Sequence, residues 1–232
     1  MTKTILITGA NRGIGLELTR EFACYGWQVL ACCRNPQSTD ELNELAARSA
    51  GSIRRFALEV TDAEQILHLA ETLRNEKIDI LLNNAGVSGP QQQEFGPIDT
   101  ETWLKTFHVN TIAPMQMANA FVEQVASSRR KIMASMGSLL GSLTDNSSGG
   151  MYAYRSSKAA VHMVMKNLAI DLHDRGITAV ALHPGWVRTR MGGAEAPTSA
   201  RESAVDLFRV LTTLTLKDTG KLWAHTGQVL PW

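Results

Sequence analysis

Short apolar runs alternate with longer amphipathic stretches along almost the whole chain, and this alternation limits the fold more than any other feature of the sequence. The apolar runs predict strands, and the stretches between them predict helices. Strands that are apolar along their whole length must be covered on both faces, which is typical of parallel sheets. With right-handed crossovers, the pattern predicts an α/β fold, a doubly wound parallel sheet in a Rossmann-like three-layer sandwich.

The alternation can be assigned element by element. Strands are predicted over residues 4–8, 28–33, 53–60, 79–83, 131–136, 178–183 and 228–230. Helices are predicted over residues 13–25, 39–50, 63–76, 100–127, 154–175 and 200–213, with Thr61 or Asp62 beginning the third and Gly176 ending the fifth. A chain of 232 residues fits one domain comfortably, so we expect a single domain over residues 1–232.

Composition argues against several classes of protein. The formal net charge is +1 and no basic run stands out, so we expect no nucleic-acid partner. No apolar run reaches the roughly 18–20 residues that a membrane-spanning helix needs. The apolar part of the N-terminus is too short for the core of an export signal, so we expect a cytoplasmic location.

The cysteines and histidines show no pattern typical of a metal site. Cys24, Cys32 and Cys33 have neither metal-ligand nor redox spacing, and the six histidines form no pair at metal-binding helical spacing. We therefore expect no metal. The three cysteines are predicted to be small buried hydrophobic residues.

A glycine-rich segment, residues 8–15 with the sequence TGANRGIG, joins the first predicted strand to the first predicted helix. A pyrophosphate needs close backbone approach and free N–H groups at a helix N-terminus, and glycines permit both. Gly9 allows the sharp turn, Gly13 keeps the loop free of side chains, and Gly15 lets helix and strand pack closely. Glycines are common in turns, but this strand–turn–helix position predicts a dinucleotide-binding domain.

The residues at the end of the second predicted strand indicate which dinucleotide. NAD-specific sites usually place a carboxylate there, to bond the ribose hydroxyls. This strand instead ends at Arg34, and Arg12 in the glycine turn can reach the same group. Both could be ordinary surface arginines. Because the expected acid is absent as well, two guanidinium groups favour the 2′-phosphate of NADP(H).

Three segments rich in Gly, Pro, Ser, Thr or Gln break the alternation, at residues 88–99, 141–150 and 186–200. Each follows the C-terminal end of a predicted strand, where open α/β sheets bind their ligands. They could be solvated connections. Their convergence on one edge favours a substrate rim.

Further motifs occur in the order found in one enzyme family. The glycine spacing is Gly-x-x-x-Gly-x-Gly, Asn83-Asn84-Ala85-Gly86 follows the fourth predicted strand, and His183-Pro184-Gly185 with Thr189 follows the sixth. Between the second and the third of these motifs, the chain has Asn110, Ser138, Tyr154 and Lys158 at matching positions. The chain thereby resembles the short-chain dehydrogenase/reductase family over essentially its whole length. Segments 149–158 and 183–189 resemble the branch of small carbonyl reductases related to the C-factor signalling proteins and the sniffer reductases.

Tyr154 and Lys158 suit proton transfer during hydride transfer to a carbonyl. The product alkoxide must be protonated, and a nearby ammonium lowers the pKa of a phenol from about 10. Four positions apart on a predicted helix, the two side chains share one face. Ser138 is predicted to hydrogen-bond the substrate oxygen, with Ser135 and Ser142 as rivals. Asn110 could be a polar residue of a helix interior; the resemblance implies that it holds a water in a proton relay.

The resemblance also implies a set of cofactor contacts along the ligand edge of the sheet. Lys158 would contact the nicotinamide ribose as well as support Tyr154. The complete set is Gly9, Asn11, Arg12, Gly13, Ile14, Gly15, Arg34, Glu59, Val60, Asn83, Ala85, Gly86, Tyr154, Lys158, Pro184, Gly185, Val187 and Thr189.

Together these features predict an NADP(H)-dependent short-chain oxidoreductase acting on a small carbonyl or alcohol. The alternative is an NADP(H)-binding signalling or regulatory protein of the C-factor type with little or no turnover. A homodimer or homotetramer remains open, because Val161, Met163 and Val164 on the Tyr154 helix suit either the core or a subunit interface. Substrate identity does not follow from the sequence.

Overall fold

The computed structural model describes residues 2–232, which alternate between strands and helices. The strands are β1 Thr4–Thr8, β2 Gln28–Cys33, β3 Ile53–Ala57, β4 Ile80–Asn83, β5 Ile132–Met136, β6 Thr178–His183, β7 Val187–Arg188, β8 Thr198–Ser199, β9 Leu222–Ala224 and β10 Val229–Leu230. The α-helices are α1 Gly13–Cys24, α2 Asp40–Ala47, α3 Ala63–Thr72, α4 Thr100–Phe107, α5 Ala113–Ala120, α6 Val122–Ala126, α7 Tyr152–Asp171 and α8 Ala200–Thr213.

Eight strands form one sheet in the order β10-β9-β6-β5-β4-β1-β2-β3. All neighbouring pairs are parallel except β10 with β9. The direction of winding reverses between β1 and β4, and open α/β sheets bind ligands at such a switch point. The predicted fold class, a doubly wound parallel sheet of the Rossmann-like type, is confirmed.

Two hydrophobic layers, one on each face, hold the sheet between its helices. Ile5 and Ile7 of β1 point into one layer and Leu6 into the other, as the two-residue period of a strand requires. The first layer includes Leu18 of α1 and Leu207 of α8. The second is built largely from α3, α5 and α7. This double covering explains why the strands read as continuous apolar runs.

Most predicted elements lie where the sequence indicated, with shifts at their ends. Asp62 begins α3, since its carboxylate accepts from Glu64 N and Gln65 N, both at 3.0 Å. Gly176 adopts a left-handed φ of 71° after the last turn that follows α7. The last predicted strand proves antiparallel, and the sequence did not predict β9, β7 or β8.

The predicted helix 100–127 is wrong as a single helix. It divides into α4, a π-helical turn at His108–Ile112, α5 and α6. Pro114 provides a physical reason, because it has no N–H to make the α-helical bond to the carbonyl of Asn110. A wider turn accommodates this missing donor.

Cys32 and Cys33 are buried as predicted, but the prediction for Cys24 is wrong. Cys24 is the last residue of α1 and is exposed. Within residues 2–232, no helix is both long enough and apolar enough to cross a membrane.

Candidate active site

The glycine turn between β1 and α1 leaves room for a ligand's phosphates while packing closely on its inner side. Gly9 and Gly13 have φ values of +66° and +54°, a conformation that side chains disfavour. A Cβ at Gly15 would lie 2.2 Å from the carbonyl oxygen of Gly9. Only glycine therefore fits at position 15. The first N–H groups of α1 have no acceptor within the helix, and such groups can bind an anion.

Thr8 and Asn84 hold this turn against the end of β4. The Asn84 side-chain amide donates to the carbonyls of Thr8 and Gly9, at 2.9 and 3.1 Å. The Thr8 hydroxyl accepts from the backbone N–H groups of Asn84 and Ala85, at 3.0 and 3.1 Å. Neither side chain was among the predicted site residues, although Asn84 lies within the motif that indicated the site.

The segment after β6 closes the other side of the same crevice. The methyl group of Thr189 lies 3.3 Å from the position that a Cβ on Gly13 would occupy. Pro184 is held by its carbonyl, which accepts from the Ser203 hydroxyl at 2.7 Å. Gly185 has a φ of +87°, and Val187 is buried. The predicted nicotinamide segment and the glycine turn are thus adjacent.

The predicted adenosine side of the site lies beside the glycine turn. Asn83, Val60 and Ala85 line a narrow crevice beside Thr8 at the ends of β1 and β4. Asn11 and Ile14 are half-buried in the glycine turn.

Arg12 and Arg34 are both exposed, and neither is committed to the protein interior. The Arg34 guanidinium lies 3.8 Å from the Glu59 carboxylate, an ion pair whose members stay 71% and 35% exposed. The sequence indicated no acid near Arg34 because Glu59 follows the neighbouring strand β3. An exposed ion pair of this kind contributes little stability, so the Arg34 guanidinium can leave Glu59 to bind an incoming anion. The Arg12 guanidinium can bind the same anion.

Tyr154, Ser138 and Lys158 come together at the ends of β5 and α7. The pKa of the Tyr154 phenol is raised by burial, and a hydrogen bond with the Ser138 side chain opposes this rise. The Lys158 ammonium lies 5.6 Å from the centroid of the Tyr154 ring. The expectation of a lowered phenol pKa is therefore not met, because desolvation outweighs the hydrogen bond.

Lys158 is almost completely buried, with 4% of its surface exposed. Its Nζ donates to the carbonyl of Met136 at 2.7 Å, which anchors the ammonium at the end of β5. Burial lowers the pKa of Lys158 to about 8. A charge kept in such a place is costly for folding, so a functional reason for it is favoured.

Asn110 lies on the π-helical turn, with 1% of its surface exposed. Its side chain accepts from the N–H of Val87 and donates to the carbonyl of Val87, both at 2.9 Å, and donates to the Ser157 hydroxyl at 3.0 Å. A Cβ at Gly86 would lie 3.3 Å from Asn110 Oδ1 and 3.7 Å from Lys158 Nζ. Asn110 and Lys158 thus face each other across Gly86.

The two rival serines have other hydrogen-bond partners. The Ser135 hydroxyl accepts from the Asn83 side chain at 3.4 Å, and the Ser142 hydroxyl donates to the carbonyl oxygen of Trp232 at 2.9 Å. Ser138 is the one whose hydrogen bond affects the Tyr154 phenol. The structure therefore favours Ser138.

Two histidines to which the sequence assigned no role accept hydrogen bonds from the backbone around Ser138. The Ser138 N–H donates to His162 Nε2 at 3.3 Å, and the Leu139 N–H donates to His183 Nδ1 at 3.2 Å. A Cβ at Gly137 would lie 2.5 Å from His162 Nε2, so glycine makes room for this ring. Burial is the main reason why the pKa of each histidine is lowered to about 4. Charge repulsion adds to this effect, from Lys158 for His162 and from His225 for His183.

These histidines predict an acid-sensitive fold. An unfolded histidine titrates near 6.5, so between about pH 4 and 6.5 the unfolded chain binds more protons and stability falls as the pH falls. We expect up to roughly 2 kcal/mol of unfolding free energy to be lost per histidine between pH 7 and 5, measured by urea unfolding. His162→Gln should reduce this loss, whereas His68→Gln on the exposed face of α3 should not. An unchanged pH dependence in His162→Gln would contradict the assignment.

The chain is similar to known proteins in both sequence and structure. Residues 3–200 match the family described as short chain dehydrogenase. The C-signal protein of Myxococcus xanthus is 37% identical over 155 residues, covering 67% of this chain and 93% of that protein. The carbonyl reductase Sniffer of D. melanogaster superposes with a TM-score of 0.93 at 31% identity, over 100% of both chains. A carbonyl reductase from Pseudomonas aeruginosa PAO1 in complex with NADP gives 0.90 at 34% identity, again over 100% of both chains.

Proposed function

Because the chain belongs to the short-chain dehydrogenase family, we propose that it is an NADP(H)-dependent oxidoreductase that reduces an aldehyde, ketone or quinone to an alcohol. The observation that carries this proposal is the meeting of Tyr154, Ser138 and Lys158 at the ligand edge of the sheet. A buried ammonium beside a phenol supports proton transfer to a substrate oxygen.

The chain offers a fitting site for the dinucleotide. The N–H groups at the start of α1 would hold the pyrophosphate, and the close packing of Gly15 on Gly9 supports that backbone approach. Arg34 and Arg12 would bind the 2′-phosphate, as is consistent with the NADP-bound structure of the Pseudomonas aeruginosa reductase. The segment from Pro184 to Thr189 would cover the nicotinamide end.

The proposed chemistry divides between cofactor and protein. The reduced nicotinamide supplies the hydride when bound. Ser138 would hold the substrate oxygen, and Tyr154 would give that oxygen its proton. Lys158 would stabilise the phenolate that remains, and its position across Gly86 from Asn110 supports a route by which the proton is replaced. Since both ends of the Asn110 amide bond Val87 or Ser157, this residue would act mainly by fixing that route.

The direct test is oxidation of NADPH, followed by its fluorescence, with a panel of aldehydes, ketones and quinones. NADH is run in parallel. We expect consumption of NADPH with at least one carbonyl class and much slower consumption of NADH. A chain that binds neither dinucleotide would contradict the proposal.

A second candidate is an NADP(H)-binding signalling protein, which the 37% identity to the C-signal protein favours. A sensor of this kind has no need of a proton donor, so the intact group of Tyr154, Ser138 and Lys158 supports the enzyme. NADPH binding without turnover across the whole panel would favour the sensor.

Arg34→Ala is expected to weaken NADPH selectively. Hydrogen bonds to charged groups contribute roughly 1.5–3 kcal/mol, so the KM for NADPH should rise by roughly ten- to hundredfold while the KM for NADH changes little. Steady-state kinetics with both cofactors measures this. Arg74→Ala, in an exposed pair with Glu71 beyond α3, is the matched control. Equal losses for NADPH and NADH would show that Arg34 does not recognise the phosphate.

A further inference from the structure

Helix α7, which carries Tyr154 and Lys158, begins without a capping side chain of its own. Its first flanking residue, Met151, has left-handed dihedral angles of φ 48° and ψ 40° and makes no side-chain cap bond. Gly149 and Gly150 before it also have positive φ values, of 64° and 65°. The first N–H groups of a helix have no partner within the helix, so a buried start needs acceptors from elsewhere.

Gln93, in the segment 88–99, supplies those acceptors. Its backbone carbonyl accepts from the N–H of Tyr152 at 3.1 Å. Its side-chain oxygen Oε1 accepts from the N–H of Tyr154 at 2.9 Å. The other end of the same amide, Nε2, donates to the carbonyl of Ser88 at 2.8 Å. One residue from a distant loop thus bonds the backbone of the proposed proton donor.

The surroundings of Gln93 are built for this contact. Its surface is 7% exposed, whereas its neighbours Gln91 and Gln92 are exposed. A Cβ at Gly89 would lie 3.2 Å from Gln93 Oε1 and 3.4 Å from the Cβ of Ala153. The loop therefore packs closely against the first turn of α7. A buried amide with both ends hydrogen-bonded fixes a geometry that a mobile surface loop does not require.

We propose that Gln93 is a positioning residue for Tyr154, a role that rests on the proposed function. Lys158 is held at the end of β5 by Met136, independently of the start of the helix. Tyr154 lies in the first turn, three residues after Met151 with its left-handed backbone, and Gln93 holds that turn in register with Lys158 and Ser138. Without the Gln93 acceptor, the first turn relaxes and the phenol moves away from both partners. The position of the proton donor therefore depends on the segment 88–99.

The test compares Gln93→Met, of similar length but without hydrogen bonds, with Gln228→Met, at an exposed position before β10, as the matched control. Displacing a reacting group by about 1 Å costs up to roughly a hundredfold, so we expect kcat of Gln93→Met to fall ten- to hundredfold. The Kd for NADPH should stay unchanged. The primary deuterium isotope effect on kcat, measured with 4-deuterated NADPH, should rise because the chemical step becomes limiting. Gln228→Met should match the parent protein in all three.

A loss of folded protein alone would lower activity without changing the isotope effect, so this readout separates positioning from stability. If Gln93→Met does not fold, Gln93→Asn, one methylene shorter, takes its place. An unchanged kcat and isotope effect in the folded variant would overturn the role of Gln93 while the parent protein remains active. A parent protein that fails to reduce any carbonyl would instead overturn the proposed function.

Discussion

Replacing Tyr154 by phenylalanine is expected to lower kcat by roughly three orders of magnitude, the middle of the range for loss of a general acid. The substitution removes one hydroxyl and leaves the ring in place, so the packing against Lys158 at 5.6 Å is retained. The Kd for NADPH, measured by fluorescence titration, should change by no more than about a factor of two, because the glycine turn and the arginines are untouched.

Tyr152→Phe is the matched control for this result. Tyr152 lies two residues earlier on the same helix and is 41% exposed. Four positions after it stands Ser156, which cannot supply a positive charge. Activity of Tyr154→Phe within tenfold of the parent protein would exclude Tyr154 as the proton donor.

Replacing Lys158 by methionine is expected to reduce turnover strongly and at the same time to stabilise the fold. The lowered pKa of about 8 means that the folded chain disfavours the ammonium. At pH 7 this costs about 3 kcal/mol of folding free energy relative to an exposed lysine. Loss of the hydrogen bond to Met136 should offset roughly 1–2 kcal/mol of the stability that the variant gains. The net gain should raise the Tm by a few degrees, while kcat falls roughly a thousandfold.

Thermal unfolding and steady-state kinetics on the same preparation measure both effects. Lys166→Met, at an exposed position further along α7, should change neither by much. A destabilised Lys158→Met variant would mean that the Met136 bond outweighs the cost of burial. Retained activity would mean that the ammonium has no part in proton transfer.

The sequence was a good guide wherever structure depends on neighbours along the chain. The apolar runs located β1, β2 and β6 to the residue, and the acid at Asp62 located the start of α3. The glycine turn lies between β1 and α1 as predicted, and positive φ at Gly9 and close packing at Gly15 demand glycine locally. The four-residue interval of Tyr154 and Lys158 predicted a shared helix face for the same reason.

The features that sequence reasoning missed all depend on contacts between distant segments. Gln93 is one of three consecutive glutamines, and nothing in the local sequence separates it from Gln92. His162 and His183 become acceptors for Ser138 and Leu139 only once β5, β6 and α7 have packed together. Pro114 was a local signal for the break at the π-helical turn, but the residues around it have a strong helical pattern, so a single helix was predicted.

The π-helical turn also determines which face of α5 is turned toward the protein interior. Each residue of an α-helix advances the chain by about 100° around the axis. Deleting a single residue within His108–Ile112 to restore regular winding would swing α5 by that angle and carry Met117 and Ala118 out of the interior, where they now have 0% and 2% of their surfaces exposed. The widened turn that presents Asn110 is therefore locked in by the hydrophobic packing downstream. Shortening the chain there would destabilise the fold and also displace Asn110 from the site.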